Sequence, residues 1–417
     1  MKIELDRLEF LKAWQMTERS SSTKSTISAV SGILLTASEE QTHLEATDFK
    51  TAIRCSAQGV RTLTTGSAVL PVRIFGEFLK KMPHEKISLE INDEKGTLSA
   101  GRNRTRFATW PVSEFPNIPR SDGADPLCTI TSADLTKVIS EGSVASSTPV
   151  DFPKYLGACL LKAQKDLLKA VATDGKRLSL SQCPCEAGAE IDLLLPIPAL
   201  KELVRLLMGN APESRIDVLY DGSTVWFRME GLEFSVRRVE SSFPNYEKIL
   251  TPGASTTLRI QRDELLPALE RIDIMVRNIL TRLVVFHLSP GGEFRLTGRA
   301  PELGTTSEVL DSSIDGDPLQ VGFNVGFLQD GLKALGSGEI RMDFNGRDGQ
   351  ARLIREGSED FLYMLMPTRL GPQDLMEDEE AEDEPGQEPL QALAELASES
   401  DRSPESGRSP EEEGEPF

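Results

Sequence analysis

Histidine is almost missing from this chain of 417 residues. Only His43, His84 and His287 occur, and none lies at ligand spacing from another. Five cysteines, at 55, 128, 159, 183 and 185, add no zinc framework, because Cys183-Pro184-Cys185 is too tight to supply four ligands alone. The expectation is no metal and no cofactor. An odd cysteine count without an apolar leader at the N-terminus reads as a reduced, cytoplasmic protein. No run of about 18 apolar residues occurs, so no membrane-spanning helix is expected. Catalytic frames are missing too. Gly175-Lys176 lacks the upstream glycine of a phosphate-binding loop, and no Gly-x-Ser-x-Gly elbow frames a serine. These absences favour a binding scaffold over an enzyme.

Charge of one sign is in excess, but unevenly. The net charge is −20. Residues 371–417 hold 17 Asp+Glu against 2 Arg, which leaves 49 acids and 44 bases in the first 370 residues. A nearly balanced body with an acidic tail can still carry a basic face. The tail is rich in Glu, Asp, Pro, Ser and Gly, and buries too little apolar surface to order itself.

What is present is a threefold repeat. Lys2-Ile3-Glu4-Leu5, Thr129-Ile130-Thr131 and Leu258-Arg259-Ile260 each open a segment and precede an apolar helix. Second helices are predicted to start near Leu70-Pro71, Leu195-Pro196 and Val321-Gly322, at spacings of 125 and 126. A repeat of this length buries its own core, so it marks domains rather than solenoid units. The boundaries are set at 1–123, 124–253 and 254–370, followed by the acidic tail 371–417.

Alternating strands around Asn92–Gly96, Asp221-Gly222 and Asn345-Gly346 predict hairpins in each repeat. Half-apolar strands suggest antiparallel sheets covered on one face. The fold class is α+β. Asp48 and Asp174 hold matching places before tight turns, and their repetition argues for turn chemistry rather than acid–base work. Phe115-Pro116-Asn117 and Phe243-Pro244-Asn245 read as rigid extended links between domains. Along residues 72–82, Arg73, Glu77, Lys80 and Lys81 fall on one face of a helix, apart from its apolar side. Lys201 and Arg205 repeat that pattern, and Lys333 is the base kept in the third copy.

Four segments carry a family resemblance: ATDGKRLSL (172–180), FPNYEKIL (243–250), GFNVGFL (322–328) and MPTRL (366–370). Together, in order and over the threefold repeat, they resemble the bacterial DNA polymerase III beta subunit, the sliding clamp. The resemblance covers residues 1–370. It implies three tandem clamp domains and a ring made by a head-to-tail homodimer, with helices lining the hole. It implies no chemistry of its own, only an accessory role for a DNA-directed DNA polymerase, in the bacterial cytoplasm at the nucleoid. A clamp holds duplex DNA through phosphate attraction without reading sequence. The family places Lys24, Arg73 and Tyr155 toward DNA; the helix faces add Lys80, Lys81, Lys201, Arg205 and Lys333. The implied partners are the polymerase III alpha subunit, the clamp loader and other proteins with a clamp-binding motif.

The family docks such motifs between its second and third domains. Carried over by position, that pocket takes Leu156, Thr173, Gly175, Lys176, Arg177, Leu178, Pro244, Lys248, Ile249, Asn324, Phe327, Met366, Pro367, Arg369 and Leu370. Lys176 stands where His is common, Lys248 where Arg is, Phe327 where Tyr is, and Thr368 where Met is; an aromatic usual near Thr281 is missing. An altered partner preference follows, and with it an alternative: a specialised clamp paralogue acting as a recruitment scaffold. Phe107, Met275 and Val276 match the family's dimer interface. The facing acidic cluster is thinned to Glu302 and Glu308, so a weaker dimer is expected. The tail is expected to be a disordered solubilising extension, or else a competitor for the pocket through Gln373-Asp374-Leu375-Met376.

Overall fold

The computed structural model describes residues 1–371 except 23, 24, 26, 148–152, 251, 252 and 292. Lys24 and the tail residues 372–417 therefore lie outside the described residues. Met1–Arg369 forms one compact unit, and Leu370–Phe417 is counted as a second.

Six helices occur among the described residues: α1 (Arg7–Thr17), α2 (Val72–Lys81), α3 (Ser132–Gly142), α4 (Ile197–Leu207), α5 (Arg262–Val276) and α6 (Val325–Leu335). They pack as α1 on α2, α3 on α4, and α5 on α6, one pair per repeat. Local chemistry starts most of them. Asp6 caps α1 by accepting from the amides of Leu8 and Glu9, Thr131 accepts from Asp134, and Asn324 accepts from Phe327. Pro71 and Pro196 precede α2 and α4 with φ near −66° and −62°.

The third of these second helices starts later than its predicted place. Val321, Gly322 and Phe323 belong to the strand Leu319–Asn324, and helix begins only after the Asn324 cap. The hairpin turn of the first repeat narrows to Asp93 and Glu94, both at positive φ, between Lys86–Asn92 and Lys95–Ala100. Asp48 and Asp174 do turn work: each Oδ1 accepts from the two amides that follow the turn, of Lys50 and Thr51 and of Lys176 and Arg177.

Among the described residues all strand pairs are antiparallel, in four sheets. One five-stranded sheet runs Val60–Thr64, Lys2–Asp6, Lys86–Asn92, Lys95–Ala100, Asn103–Ala108. One four-stranded sheet runs Gly304–Leu310, Phe294–Ala300, Leu283–Leu288, Leu319–Asn324. The other two have nine strands each and cross repeat boundaries. Leu232–Arg237 pairs with Thr51–Ser56, which joins the second repeat to the first. Phe361–Leu365 pairs with Arg177–Pro184, which joins the third to the second.

Period-two alternation divides the buried residues. In the second repeat, Cys159, Leu161, Ala170 and Ala172 face α3 and join the large core shared with the first repeat. Their neighbours Ala158, Leu160, Val171, Leu178, Leu180 and Leu194 form a smaller cluster on the opposite, outer face, with Tyr246 and Met364. The third repeat has a separate core, from Leu258 to Leu365, which also takes in Ala145 of the second.

Candidate functional site

The outer-face cluster lies where two repeats share a sheet. Leu178 opposes Met364 in the ladder. Segment 238–250 contributes Val239, Phe243, Tyr246 and Leu250 to this cluster, and Tyr155 meets the Phe243 ring at 5.9 Å. Beside them Ile249 and Met366 stay 42% and 44% exposed, apolar side chains with unfilled faces. Pro244 is half-buried, and Lys176 and Lys248 are exposed. The C-terminal segment is held by backbone bonds: the Met366 amide donates to Lys176 O at 2.9 Å, and Thr368 donates to Gly322 O at 2.8 Å.

The turn before Leu178 is built for rigidity. Thr173 Oγ1 accepts from the Gly175 amide and donates to Arg177 O at 2.7 Å, and Gly175 takes φ +85°. Arg177, expected in the same pocket as Leu178, turns the other way because side chains alternate along a strand. Its Nε donates to Asp174 Oδ2 at 2.9 Å, and its Nη1 to Asp330 Oδ2 at 2.7 Å and to Tyr363 Oη at 2.9 Å. The guanidinium lies 4.3 Å from the Phe327 ring centroid, and Tyr363 Oη donates to Phe327 O. Burial opposes the charge, but Tyr363, Asp330 and Asp174 hold the guanidinium above the usual arginine range. Arg177 and Phe327 thus bolt the repeat joint on its helix side. Asn324 is also structural: it caps α6, and its Nδ2 donates to Thr281 O at 2.9 Å. Leu156 accepts from the Ser147 amide in a short 3-10 turn. Arg369 is exposed and Pro367 half-buried. Leu370 opens the second unit and is not placed against the others.

The predicted DNA-facing bases divide differently. Arg73, Lys80 and Lys81 on α2, Lys201 and Arg205 on α4, and Lys333 on α6 are all exposed. Tyr155 is not with them, since its ring is packed into the outer-face cluster. Acids accompany most of these bases: Lys80 meets Glu18 at 3.8 Å, Lys81 meets Glu77 at 3.4 Å, Lys333 meets Glu270 at 3.6 Å, and Arg205 meets Glu202. The sequence placed Glu77 on the basic face of its helix but drew no pairing from it, although Glu77 and Glu202 lie within four residues of their partners.

Asn103–Ala108 and Gly304–Leu310 are among the strands that end their sheets as edges. Arg104 and Arg106 are exposed along the first, and Arg102 in the turn before it. Phe107 lies half-buried over Gly96, where a Cβ would sit 2.4 Å from its ring. On the second, Glu308 is held by both Nε and Nη2 of Arg271 at 2.7 Å. The Arg271 side chain draws the Glu308 carboxyl below its ordinary range, against some burial. Val276, expected at an interface, is fully buried in the third core, because α5 turns it inward toward Gly298. Met275 is partly buried, and Ile274 presents the exposed apolar side chain.

Family models cover nearly all of the described chain. The N-terminal, central and C-terminal domains of the DNA polymerase III beta subunit match residues 1–119, 129–245 and 248–369. The chain belongs to the DNA polymerase III beta subunit family. It is 28% identical to the beta sliding clamp of Vibrio cholerae, over 89% of this chain and all of that protein. It is 26% identical to the beta sliding clamp of Pseudomonas putida, over the same shares. The sliding clamp structure from Bacillus subtilis superposes with a TM-score of 0.85 at 21% identity, and the beta subunit from Pseudomonas aeruginosa with 0.84 at 24%. Each covers 89% of this chain and 100% of its own. The function of the family is that of a DNA sliding clamp, a processivity subunit without catalysis. Membership implies DNA and a DNA polymerase as partners. No helix among the described residues is long and apolar enough to cross a membrane.

Proposed function

We propose that two copies of this chain close head to tail into a ring around duplex DNA and tether the replicative polymerase to it. The observation that carries this reading is the pair of unmatched strand edges. Twice within the chain, the last strand of one repeat pairs with the same strand of the repeat before it. Asn103–Ala108 is the last strand of the first repeat and has no following neighbour among the described residues. Gly304–Leu310 is the third repeat's counterpart of Thr51–Ser56 and Arg177–Pro184, and it too is an edge. A second copy would supply each edge with its missing partner, which also answers the hazard that an open edge poses. Arg104 and Arg106 would then face a strand that bears Glu308 and is preceded by Glu302 in its turn, a complementary arrangement.

The exposed bases of α2, α4 and α6 would line the hole and meet phosphates. Phe107, Met275 and Ile274 would flank the seam. Leu178, Pro244, Ile249 and Met366 would receive apolar anchors of a partner's linear motif, with Lys176 and Lys248 at its rim. The polymerase alpha subunit, the clamp loader and repair proteins would share that place. The domains would run 1–123, 124–253 and 254–370, although the C-terminal family match begins at residue 248. A bacterial cytoplasmic location, at the nucleoid, goes with this role.

The test is topological. Loaded by a clamp loader onto nicked circular DNA, the protein should stay bound through a gel-filtration column and leave when the circle is cut. Equal retention on linear and circular DNA would sink the ring.

A further inference from the structure

A cavity of about 450 Å³ lies on the outer face of the second repeat, between segment 238–247 and the strands Ala158–Gln164 and Ile191–Pro196. Its floor is Leu160 and Leu194, and its aromatic wall is Phe243 and Tyr246. Ile191–Pro196 is a sheet edge, and the Val239 amide donates to Leu194 O at 2.8 Å.

Two features make this more than a crevice. Tyr246 is only 5% exposed, and its buried hydroxyl has no hydrogen-bond partner among the described residues. Such an orphan destabilises the fold unless a visitor satisfies it. The charges around it are also biased. Asp192, Glu240 and Glu247 line the cavity against Lys162 and Arg238. Lys162 is engaged with Glu247 at 3.7 Å, and the Arg238 guanidinium lies 5.9 Å from the Tyr220 ring centroid. Burial pushes the Tyr246 hydroxyl up to about 12, and Glu247 and Asp192 push it the same way. The hydroxyl thus sits in a negative potential beside paired rings, Phe243 and Tyr246 at 6.2 Å. Aromatic faces and carboxylates together suit a cationic side chain.

We infer that this cavity binds a Lys or Arg side chain flanking the motif of a peptide docked in the neighbouring outer-face pocket. Pro244 lines the cavity and also belongs to that pocket, so one peptide would reach both. The inference rests on the docking reading above. The ammonium or guanidinium would pair with Asp192 and Glu247 and donate to Tyr246 Oη, while its stem lies on Leu160 and Leu194.

The experiment compares labelled peptides that carry a standard clamp-binding motif and are extended at either end with Lys, Ala or Glu. The Lys extension is expected to bind about fivefold more tightly than Ala, the scale of a partly desolvated cation–π contact. Asp192→Asn with Glu247→Gln should abolish that gain. Glu39→Gln with Glu40→Gln, at a distant acidic pair, should keep it and so exclude general attraction to an acidic protein. Tyr246→Phe should reduce the gain while leaving the fold as stable or more so, since it removes an unpartnered polar atom. Equal affinity for the Lys and Ala peptides overturns the inference and leaves the docking reading intact. Failure of every motif peptide to bind overturns the docking reading. A separate arm then judges the cavity alone: acetyl-lysine amide, but not acetyl-norleucine amide, should shift the NMR signals of the Tyr246 ring. No difference between those two compounds overturns the site itself.

Discussion

At the scale of single residues, Arg177 decides most. Its charge is buried, and it is tolerated only because Asp174, Asp330 and Tyr363 surround it. Arg177→Met strands those partners and should cost about 3 kcal/mol in urea unfolding, the scale of breaking a buried pair. Motif-peptide affinity should fall as well, because the turn that carries Leu178 loses its anchor. The sequence exposed the identity of these residues but not their side of the sheet. Thr173 to Leu178 reads as one pocket because its members are contiguous, whereas the pleat sends Arg177 to the helices and Leu178 outward. Val276 misled for the opposite reason: an apolar residue at a helix end reads equally well as interface or core, and only packing against Gly298 decides. Asp48 and Asp174 were legible because an Asx turn is a purely local device.

At the scale of elements, the joint between the second and third repeats carries a charge network besides its ladder. Lys137 of α3 donates to Asp360 Oδ2 at 2.5 Å, and Arg355 donates to Asp360 Oδ1 at 2.6 Å and to Glu141 Oε1 at 3.0 Å. Burial works against the Asp360 carboxylate, but Lys137, Ser358 and Arg355 bring it down to about 2. A depressed folded-state value means the contribution is complete above the ordinary carboxylate range and vanishes as pH falls through about 2. Asp360→Asn should therefore flatten the loss of stability between about pH 4 and pH 2, measured by urea midpoints across that range. The strand edges give a second prediction. Arg104→Glu with Arg106→Glu should leave the monomer folded, since both side chains are exposed, and should weaken the dimer at least about tenfold by sedimentation. Charge reversal at Glu302 in a mixed partner should restore part of it. Helix starts at Pro71 and Pro196 were readable from sequence. The third was not, because a Val-Gly-Phe strand end resembles a helix start until Asn324 is seen to cap. The length of α5 was hidden too, since Pro267 inside it reads as a stop. Sheets that cross from one repeat to the next leave no local mark, because pairing partners lie far apart in the chain.

At the scale of the whole molecule, most of the bases expected to meet DNA already have acids beside them. Phosphates would compete with Glu18, Glu77, Glu202 and Glu270 for Lys80, Lys81, Arg205 and Lys333. Exposed pairs of this kind are weak, so the competition is winnable, yet it dilutes the net attraction. The salt dependence of DNA retention should be shallow. Replacing those four glutamates by glutamine should steepen the slope of log Kobs against log salt by about one for each base that gains a phosphate, and raise affinity at low salt. An unchanged slope would mean that these helices do not meet the duplex. The threefold architecture itself was legible, because each repeat restates the same local signals at nearly constant spacing.

The two nine-stranded sheets have a mechanical consequence. Where a ladder runs unbroken through a repeat boundary and the chain also passes through it, bending there means breaking hydrogen bonds in register against a covalent tether. A seam between separate copies would have the ladder without the tether. A closed ring of this kind would act as a stiff band with a clasp, and any protein that opens it to admit DNA would do its work at Asn103–Ala108 and Gly304–Leu310.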